Sequence, residues 1–166
     1  MSKDEPFVIE PGRCNCVALR KASRRLSQFY DAALAPSGLR STQLAMLSEI
    51  SRRADAPPTI RELAETLVMD QSTIGQNLRP LEREGLVELV TDAADRRSRR
   101  VKLTKTGRSR LVAAKPLWKS AQDRFESGFG TRAAAELRGL LLAIAADRSL
   151  AGEGEVSSTD TPRGRK

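Results

Sequence analysis

Apolar residues recur every three or four positions over most of this chain, which is the spacing of one face of an α-helix. Proline and glycine residues interrupt this pattern and divide it into separate segments. The pattern therefore predicts a chain that is mainly helical. The six predicted helices cover residues 13–34, 41–53, 59–67, 70–84, 105–128 and 131–148.

Several helix ends are also predicted by residue type. Thr59 and Glu62 have the spacing of a capping box, in which each side chain binds the backbone N–H of the other residue. Ser41 and Asp70 stand where an N-cap is expected, because their oxygen atoms can accept a hydrogen bond from a free N–H of the first turn. Gly85 is expected to end the fourth helix, since glycine readily adopts a positive φ.

Two short apolar segments follow the fourth helix and predict a β-hairpin. Residues 86–90 form the first strand, residues 92–95 turn the chain, and Val101 and Leu103 alternate on the returning strand. Helix, turn, helix, strand, basic loop and strand are the order of a winged helix-turn-helix. This unit places one helix in the DNA major groove and a basic loop beside it. The expected fold class is α+β, mainly α with a small β-wing.

The remaining segments suggest a division of the chain. Residues 1–12 are interpreted as an N-terminal arm, residues 41–104 as the DNA-binding unit, and residues 149–166 as a disordered polar tail. The helices within 13–40 and 105–148 are too long to be mere extensions of the DNA-binding unit. We expect them to form a helical dimerisation region, in which Pro116 should kink or disturb the long helix.

The charge distribution supports a polyanionic partner. The chain has 29 Lys and Arg against 21 Asp and Glu, a formal charge of +8. One stretch is basic with no acidic residue among its members: Arg96, Arg97, Arg99, Arg100, Lys102, Lys105, Arg108 and Arg110. Such a cluster is typical of a surface that binds nucleic acid. Because no apolar run could span a bilayer and no signal peptide is recognisable, a cytoplasmic protein without a membrane partner is expected.

The residue inventory argues against catalysis. The chain has no histidine and two cysteines, which excludes histidine-based acid–base catalysis and a four-ligand zinc site within one chain. No nucleophile–base pair and no phosphate-binding glycine loop is recognisable, so we expect no enzyme, cofactor or metal. A non-specific architectural or RNA-binding protein is the alternative, although four Phe, one Tyr and one Trp offer little surface for stacking bases.

The DNA-binding unit resembles the MarR family of bacterial transcription regulators. The residues that carry the resemblance are Asp70-Gln71-Ser72-Thr73, residues 77–87, Asp95-Arg96-Arg97-Ser98 and residues 101–107. The resemblance covers about residues 13–148. It implies a homodimer of winged-helix subunits that binds double-stranded DNA at a pseudo-palindromic operator, most often as a repressor.

Two groups of DNA-contacting residues are predicted. On the fourth helix, candidates for contacts with base edges or phosphates are Gln71, Ser72, Thr73, Gln76, Asn77 and Arg79. In the wing, the candidates are Asp95, Arg96, Arg97 and Arg99. The resemblance implies that Arg97 enters the minor groove and that Asp95 orients it. Arg96, Arg99 and Arg100 are expected either to hold phosphates or to pair with acidic residues of the same subunit.

Release from DNA by a signal is also implied by the resemblance. The start of the first helix is similar to that of OhrR-like organic-peroxide sensors, and Cys16 and Tyr30 match their reactive cysteine and one tyrosine beside it. Arg20 and Ser41 stand where two further tyrosines are found. The alternative is that Cys16 is a small packing residue. Cys14 was expected on a different face of the same helix.

A small aromatic ligand is the competing signal. In this family such a ligand usually occupies a cleft between the dimer helices and the DNA-binding unit. The candidate lining residues are Arg20, Tyr30, Met46 and Trp118. The favoured interpretation of each residue taken singly is an ordinary core or surface position.

Overall fold

The computed structural model describes residues 10, 12–92 and 98–150. Its regular elements follow the predicted order of four helices, a hairpin and two further helices. They are α1 (Asn15–Leu34), α2 (Ser41–Arg52), α3 (Ile60–Leu67), α4 (Gln71–Arg83), β1 (Val87–Thr91), β2 (Arg99–Leu103), α5 (Lys105–Phe129) and α6 (Thr131–Ala146). Two 3-10 turns occupy Ala35–Ser37 and Arg148–Leu150.

The two strands form a small antiparallel sheet. Val87 is paired with Leu103 at one end and Thr91 with Arg99 at the other. A single bridge between Thr59 and Arg100 adds the segment before α3 to the side of β2. The expected fold class, mainly α with a small β-wing, is confirmed.

A hydrophobic core joins α2, α3 and α4 to the sheet. The apolar faces predicted for α3 and α4 supply Leu63, Ile74, Leu78 and Leu81, each at most 2% exposed. The same core also contains Leu34, Met46, Leu47, Ile50, Leu86 and Val101. Because the buried residues of α4 follow helical spacing, its opposite face is turned to solvent.

The predicted caps of α3 and α4 are confirmed. The Thr59 side chain accepts from the N–H of Glu62 at 3.1 Å, and Glu62 accepts from the N–H of Thr59 at 2.7 Å. The Asp70 carboxylate accepts from the N–H of Thr73 at 2.7 Å. After α4, Gly85 has a φ of +66° and begins the connection to β1.

The prediction that Ser41 caps α2 is wrong. Ser41 is the first residue of α2, and Arg40 holds the N-cap position with extended backbone. The reason is a carboxylate on α1, since Asp31 accepts both the N–H of Ser41 at 2.7 Å and its hydroxyl at 2.6 Å. The side chain of Gln43 accepts from the N–H of Arg40 at 2.9 Å. A partner ten residues away has therefore replaced the local cap.

Pro116 and the start of the C-terminal tail are two features of this region for which the sequence made predictions. Pro116 lies inside α5, which continues from Lys105 to Phe129 without a break. The disordered tail was predicted to begin at residue 149, but Ser149 and Leu150 belong to a 3-10 turn. In that turn the Asp147 carboxylate accepts from the N–H and the hydroxyl of Ser149. Residues 151–166, and residues 1–9 and 11 of the predicted arm, lie outside the described residues.

The chain divides into two compact units, residues 1–124 and 125–166. In the second unit, the rings of Phe125 and Phe129 are stacked at 5.3 Å, and Arg138 binds Glu126 at 2.7 Å. Within the part of the chain that the structure describes, no helix is both long enough and apolar enough to cross a membrane.

Candidate nucleic-acid interface

The N-terminus of α4 is organised by one carboxylate. Asp70 accepts hydrogen bonds from the hydroxyls of Ser72 and Thr73 in addition to the N–H of Thr73. Together these hydrogen bonds lower the pKa of Asp70 from 3.8 to about 2. The bond from Ser72 contributes most, followed by the bonds from Thr73. Because both hydroxyl protons are directed at Asp70, the two hydroxyl oxygens are left as acceptors for a partner. The groups on DNA that can donate a hydrogen bond to such acceptors are the amino groups of adenine and cytosine in the major groove.

The solvent face of α4 contains all the residues that the sequence predicts as contacts on this helix. Gln71, Ser72, Gln76 and Arg79 are exposed, whereas Thr73 and Asn77 are half-buried. The Asn77 side chain donates one N–H to the carbonyl of Thr73 at 2.8 Å. This bond fixes the amide against its own helix, so that Asn77 offers fewer free donors than the sequence suggested.

An open groove continues along the same face towards the end of α4. It is lined by Gln76, Arg79, Pro80, Glu82 and Arg83. The sequence reasoning selected only the first two of these. Pro80 and Arg83 could have been found from helical spacing, since positions 76, 79, 80 and 83 share one side of a helix. Arg83 extends the basic surface by one turn beyond Arg79.

The base of the wing is anchored by Arg100. Its Nε and Nη2 atoms lie 2.8 and 2.7 Å from Asp92, and its Nη1 donates to the carbonyl of Pro57 at 2.8 Å. The hydrogen bond to Asp92 is the main reason that the pKa of Arg100 is raised. Of the two roles left open for Arg100, the structure therefore supports pairing with an acid of its own subunit.

The outer part of the wing is only partly described. Asp92 donates its N–H to the carbonyl of Ser98 at 3.0 Å and thereby closes the hairpin below its tip. Arg99 is exposed on β2. The predicted contacts Asp95, Arg96 and Arg97 fall within residues 93–97, outside the described residues.

A buried carboxylate that binds two more exposed arginines supports the helices beneath the interface. Glu49 on α2 is 3% exposed and binds Arg53 at 3.0 Å and Arg52 at 2.8 Å. Arg53 also lies 3.8 Å from Glu62, the capping glutamate of α3. The pKa of Glu62 is lowered, chiefly by the backbone N–H of Thr59. This network, which the sequence reasoning missed, joins the end of α2 to the beginning of α3.

The two cysteines have different positions at the start of α1. Cys16 is exposed and lies in the first turn. Cys14 is half-buried and precedes the helix as its N-cap, with φ −91° and ψ 113°. The expectation that both cysteines occupy faces of one regular helix is therefore wrong, because the helix begins at Asn15.

The four candidate ligand-binding residues differ in burial. Met46 is completely buried in the core, whereas Arg20 is exposed and Trp118 is 43% exposed. Tyr30 is half-buried and donates its hydroxyl to Gln122 on α5 at 2.6 Å. This hydrogen bond links the first helix to α5.

A polar helix face on a capped, core-anchored helix, followed by a basic hairpin, defines a winged-helix DNA-binding protein. A family model for the MarR family matches residues 37–98. The M. tuberculosis transcriptional regulator MosR is 34% identical, with a TM-score of 0.69, and the match covers 82% of this chain and 98% of MosR. The same regulator in complex with DNA is 37% identical, with a TM-score of 0.70, over 82% of this chain and 99% of that one.

The chain belongs to the MarR family of transcription regulators. The transcriptional repressor CouR, bound to a 23-mer DNA duplex, is 26% identical with a TM-score of 0.73, over 84% of this chain and 99% of CouR. The transcriptional activatory protein BadR of Rhodopseudomonas palustris is 36% identical over 91 residues. That match spans 54% of this chain and about half, 52%, of BadR.

Proposed function

We propose that this protein is a sequence-specific DNA-binding regulator that acts as a homodimer on a pseudo-palindromic operator. The observation that carries the proposal is the solvent face of α4, where Gln71, Gln76 and Arg79 stand on a helix anchored by buried residues. Glutamine side chains can bind adenine with two hydrogen bonds, and arginine can bind a phosphate. The wing would place Arg97 in the adjacent minor groove, where narrow A·T-rich DNA attracts arginine.

Exposed apolar residues support the homodimer. In the first unit, the N-terminal half of α1 exposes Val17 and Leu19 by 38% and 41%. In the second unit, α6 exposes Leu140, Leu142 and Ile144 by 50% or more. Apolar groups of this kind mark surfaces that another chain covers. A two-fold dimer presents two copies of α4, which explains why a pseudo-palindromic site is expected.

Repression is the expected outcome of DNA binding, with release by a small ligand. A ligand that binds the DNA-incompetent form of the dimer more tightly shifts the population away from DNA. The contact between Tyr30 and Gln122 favours a site between α1 and α5 for a small aromatic molecule, with Arg20 and Trp118 as further candidates. CouR is a repressor and BadR an activator by name, so both directions of regulation are represented among the similar proteins.

Thiol oxidation is the second candidate signal, and the exposure of Cys16 in the first turn of α1 favours it. Oxidation by a hydroperoxide proceeds through the thiolate of a solvent-accessible cysteine, and Cys16 is accessible. Attack of this thiolate on an organic hydroperoxide would give a sulfenic acid and an alcohol. The added polar group would then disturb the packing of α1 in the dimer.

DNA binding is tested by fluorescence anisotropy on the DNA upstream of the gene and on a scrambled duplex of equal length. We expect the wild type to prefer the upstream DNA. Gln76→Ala should reduce this preference more than general affinity, whereas Arg79→Ala should weaken binding to both duplexes alike. Arg97→Ala should lose about 1–3 kcal/mol of binding free energy on the upstream DNA. Equal affinity of the wild type for both duplexes would identify a non-specific architectural protein instead.

The two signals are separated by repeating the measurement after one equivalent of an organic hydroperoxide. Loss of binding that dithiothreitol restores, and that Cys16→Ser abolishes, would establish thiol oxidation. Cys14→Ser is the matched control and should leave the response unchanged. Binding that ignores the peroxide assigns Cys16 to packing and leaves the aromatic ligand as the candidate signal.

A further inference from the structure

The residue before α5 is hydrogen-bonded to the turn that follows the recognition helix α4. The N–H of Thr104 binds the carbonyl of Leu86 at 3.1 Å, and its hydroxyl binds the carbonyl of Gly85 at 2.6 Å. One turn later, Gly107 lies so close that a Cβ would be 2.0 Å from the carbonyl oxygen of Leu86. These contacts fix one end of α5 beside the turn that follows α4.

A second connection is made one turn further along α5. Arg110 donates from Nη1 to the carbonyl of Ser37 at 2.9 Å, and the same atom lies 3.9 Å from Glu84, the C-cap of α4. Gly38 leaves room for this guanidinium, because a Cβ there would be 2.8 Å from Nη1. Arg110 therefore links α5, the end of α4 and the connection between α1 and α2.

The connection between α1 and α2, which Arg110 binds, is itself stabilised by hydrogen bonds. Ser37 is 8% exposed, and its hydroxyl donates to the carbonyl of Leu34 at 2.7 Å and accepts from the N–H of Leu39 at 3.3 Å. Gly38 has a φ of +72°, a left-handed conformation that favours glycine. The guanidinium thus binds a rigid turn, which can resist a movement of α5.

Two separated points of attachment define an angle, whereas one leaves the helix free to tilt. The rise of an α-helix places Arg110 about 4.5 Å beyond Gly107 and about 9 Å beyond Thr104. We propose that Arg110 is a positioning residue that fixes the angle between α4 and α5 and thereby sets the distance between the two recognition helices of the dimer. This inference rests on the proposed function as a two-fold DNA-binding dimer.

The consequence is a specific role in half-site spacing. A dimer on DNA reads two half-sites whose separation must match that of its recognition helices. If Arg110 holds the angle of α4, loss of the guanidinium lets each α4 tilt, and the dimer then tolerates half-sites that are one base pair too close or too far apart. Loss of a purely structural contact, or of a phosphate contact, would weaken binding at every spacing alike.

The test begins with selection of binding sites from a random duplex library by wild-type protein and by Arg110→Met. Methionine retains an apolar stem but removes the charge and the hydrogen bonds. Arg108→Met is the matched control, since Arg108 is exposed on the same turn of α5 and binds the carbonyl of Leu103 at 2.8 Å. Arg110→Lys is a milder variant in case Arg110→Met does not fold, because lysine keeps the positive charge but lacks the planar guanidinium that is directed at the carbonyl of Ser37.

Anisotropy on duplexes with the selected spacing and with one base pair added or removed then measures discrimination. We expect Arg110→Met, or Arg110→Lys in its place, to reduce the affinity ratio between correct and altered spacing by about fivefold or more, in the range of allosteric coupling factors. Arg108→Met should keep the wild-type ratio. A wild-type ratio in the folded Arg110 variant would overturn the inference alone. Failure of the wild type to select a paired site would overturn the proposed function and the inference with it.

Discussion

Replacing Gly107 by alanine is a direct test of how closely α5 approaches the end of α4. In the native structure, a Cβ at this position would lie 2.0 Å from the carbonyl oxygen of Leu86 and 2.9 Å from the Leu103 side chain. The Leu103 methyl group can rotate away, but the backbone carbonyl cannot. The helix must therefore move about 1 Å to restore ordinary contact with that oxygen.

Such a movement would lengthen the hydrogen bonds that Thr104 makes. Thr104 holds the carbonyls of Gly85 and Leu86, and its hydroxyl also accepts from the N–H of Gly107 at 3.0 Å. Loss of two of these bonds costs about 2 kcal/mol, and overpacking adds about 1–3 kcal/mol. Alanine in place of glycine inside a helix returns about 1 kcal/mol. The expected net loss in the free energy of unfolding is about 2–4 kcal/mol.

Urea denaturation followed by circular dichroism, at one fixed protein concentration, measures this loss. In a thermal scan of the same samples, the expected decrease in melting temperature is about 4–16 °C for a chain of this size. Gly75→Ala is the matched control, because Gly75 is also helical but no atom outside its own helical turns lies within 4 Å of its Cβ position. Alanine there should stabilise the protein by about 1 kcal/mol. A Gly107→Ala variant as stable as wild type would refute the close approach of α5 to Leu86.

Three further results are expected. Gly75→Ala should weaken operator binding despite its higher stability, because the added methyl group would occupy open space on the face of α4 that is proposed to contact DNA. An unchanged affinity in the anisotropy assay would contradict this. Asp70→Asn should be less stable than wild type at neutral pH, and this difference should disappear as the pH falls from about 4 to 2. The reason is that a carboxylate with a lowered pKa stabilises the folded state while it is ionised and no longer does so once it is protonated. A difference in urea midpoints that stays constant across this pH range would refute the role of Asp70. Glu49→Gln should lower the free energy of unfolding by about 1–3 kcal/mol by weakening its bonds to Arg52 and Arg53, and an unchanged urea midpoint would rule out this network as a support.

The parts of the fold that were predictable are those whose partners lie within a few residues. The capping box of Thr59 and Glu62 spans three residues, and so does the bond from Asp70 to Thr73. The apolar spacing of Ile74, Leu78 and Leu81 reflects one buried face of one helix. In each case the residue types and their spacing are sufficient, because the geometry of a single helical turn supplies the distance. The solvent face of α4, with its candidate DNA contacts, follows from the same periodicity.

Only the tertiary structure decided which distant groups complete the site. Ser41 is not a cap because Asp31 reaches it from α1, and Arg100 is committed to Asp92 and to the carbonyl of Pro57, 43 residues away. Arg110 in the same way finds the carbonyl of Ser37 across 73 residues. In the sequence these arginines look like any others of the basic stretch. The sequence alone determined the helices, the hairpin and the polar face, since those depend on local spacing, whereas the packing of the elements decided which charges face DNA and which hold the protein together.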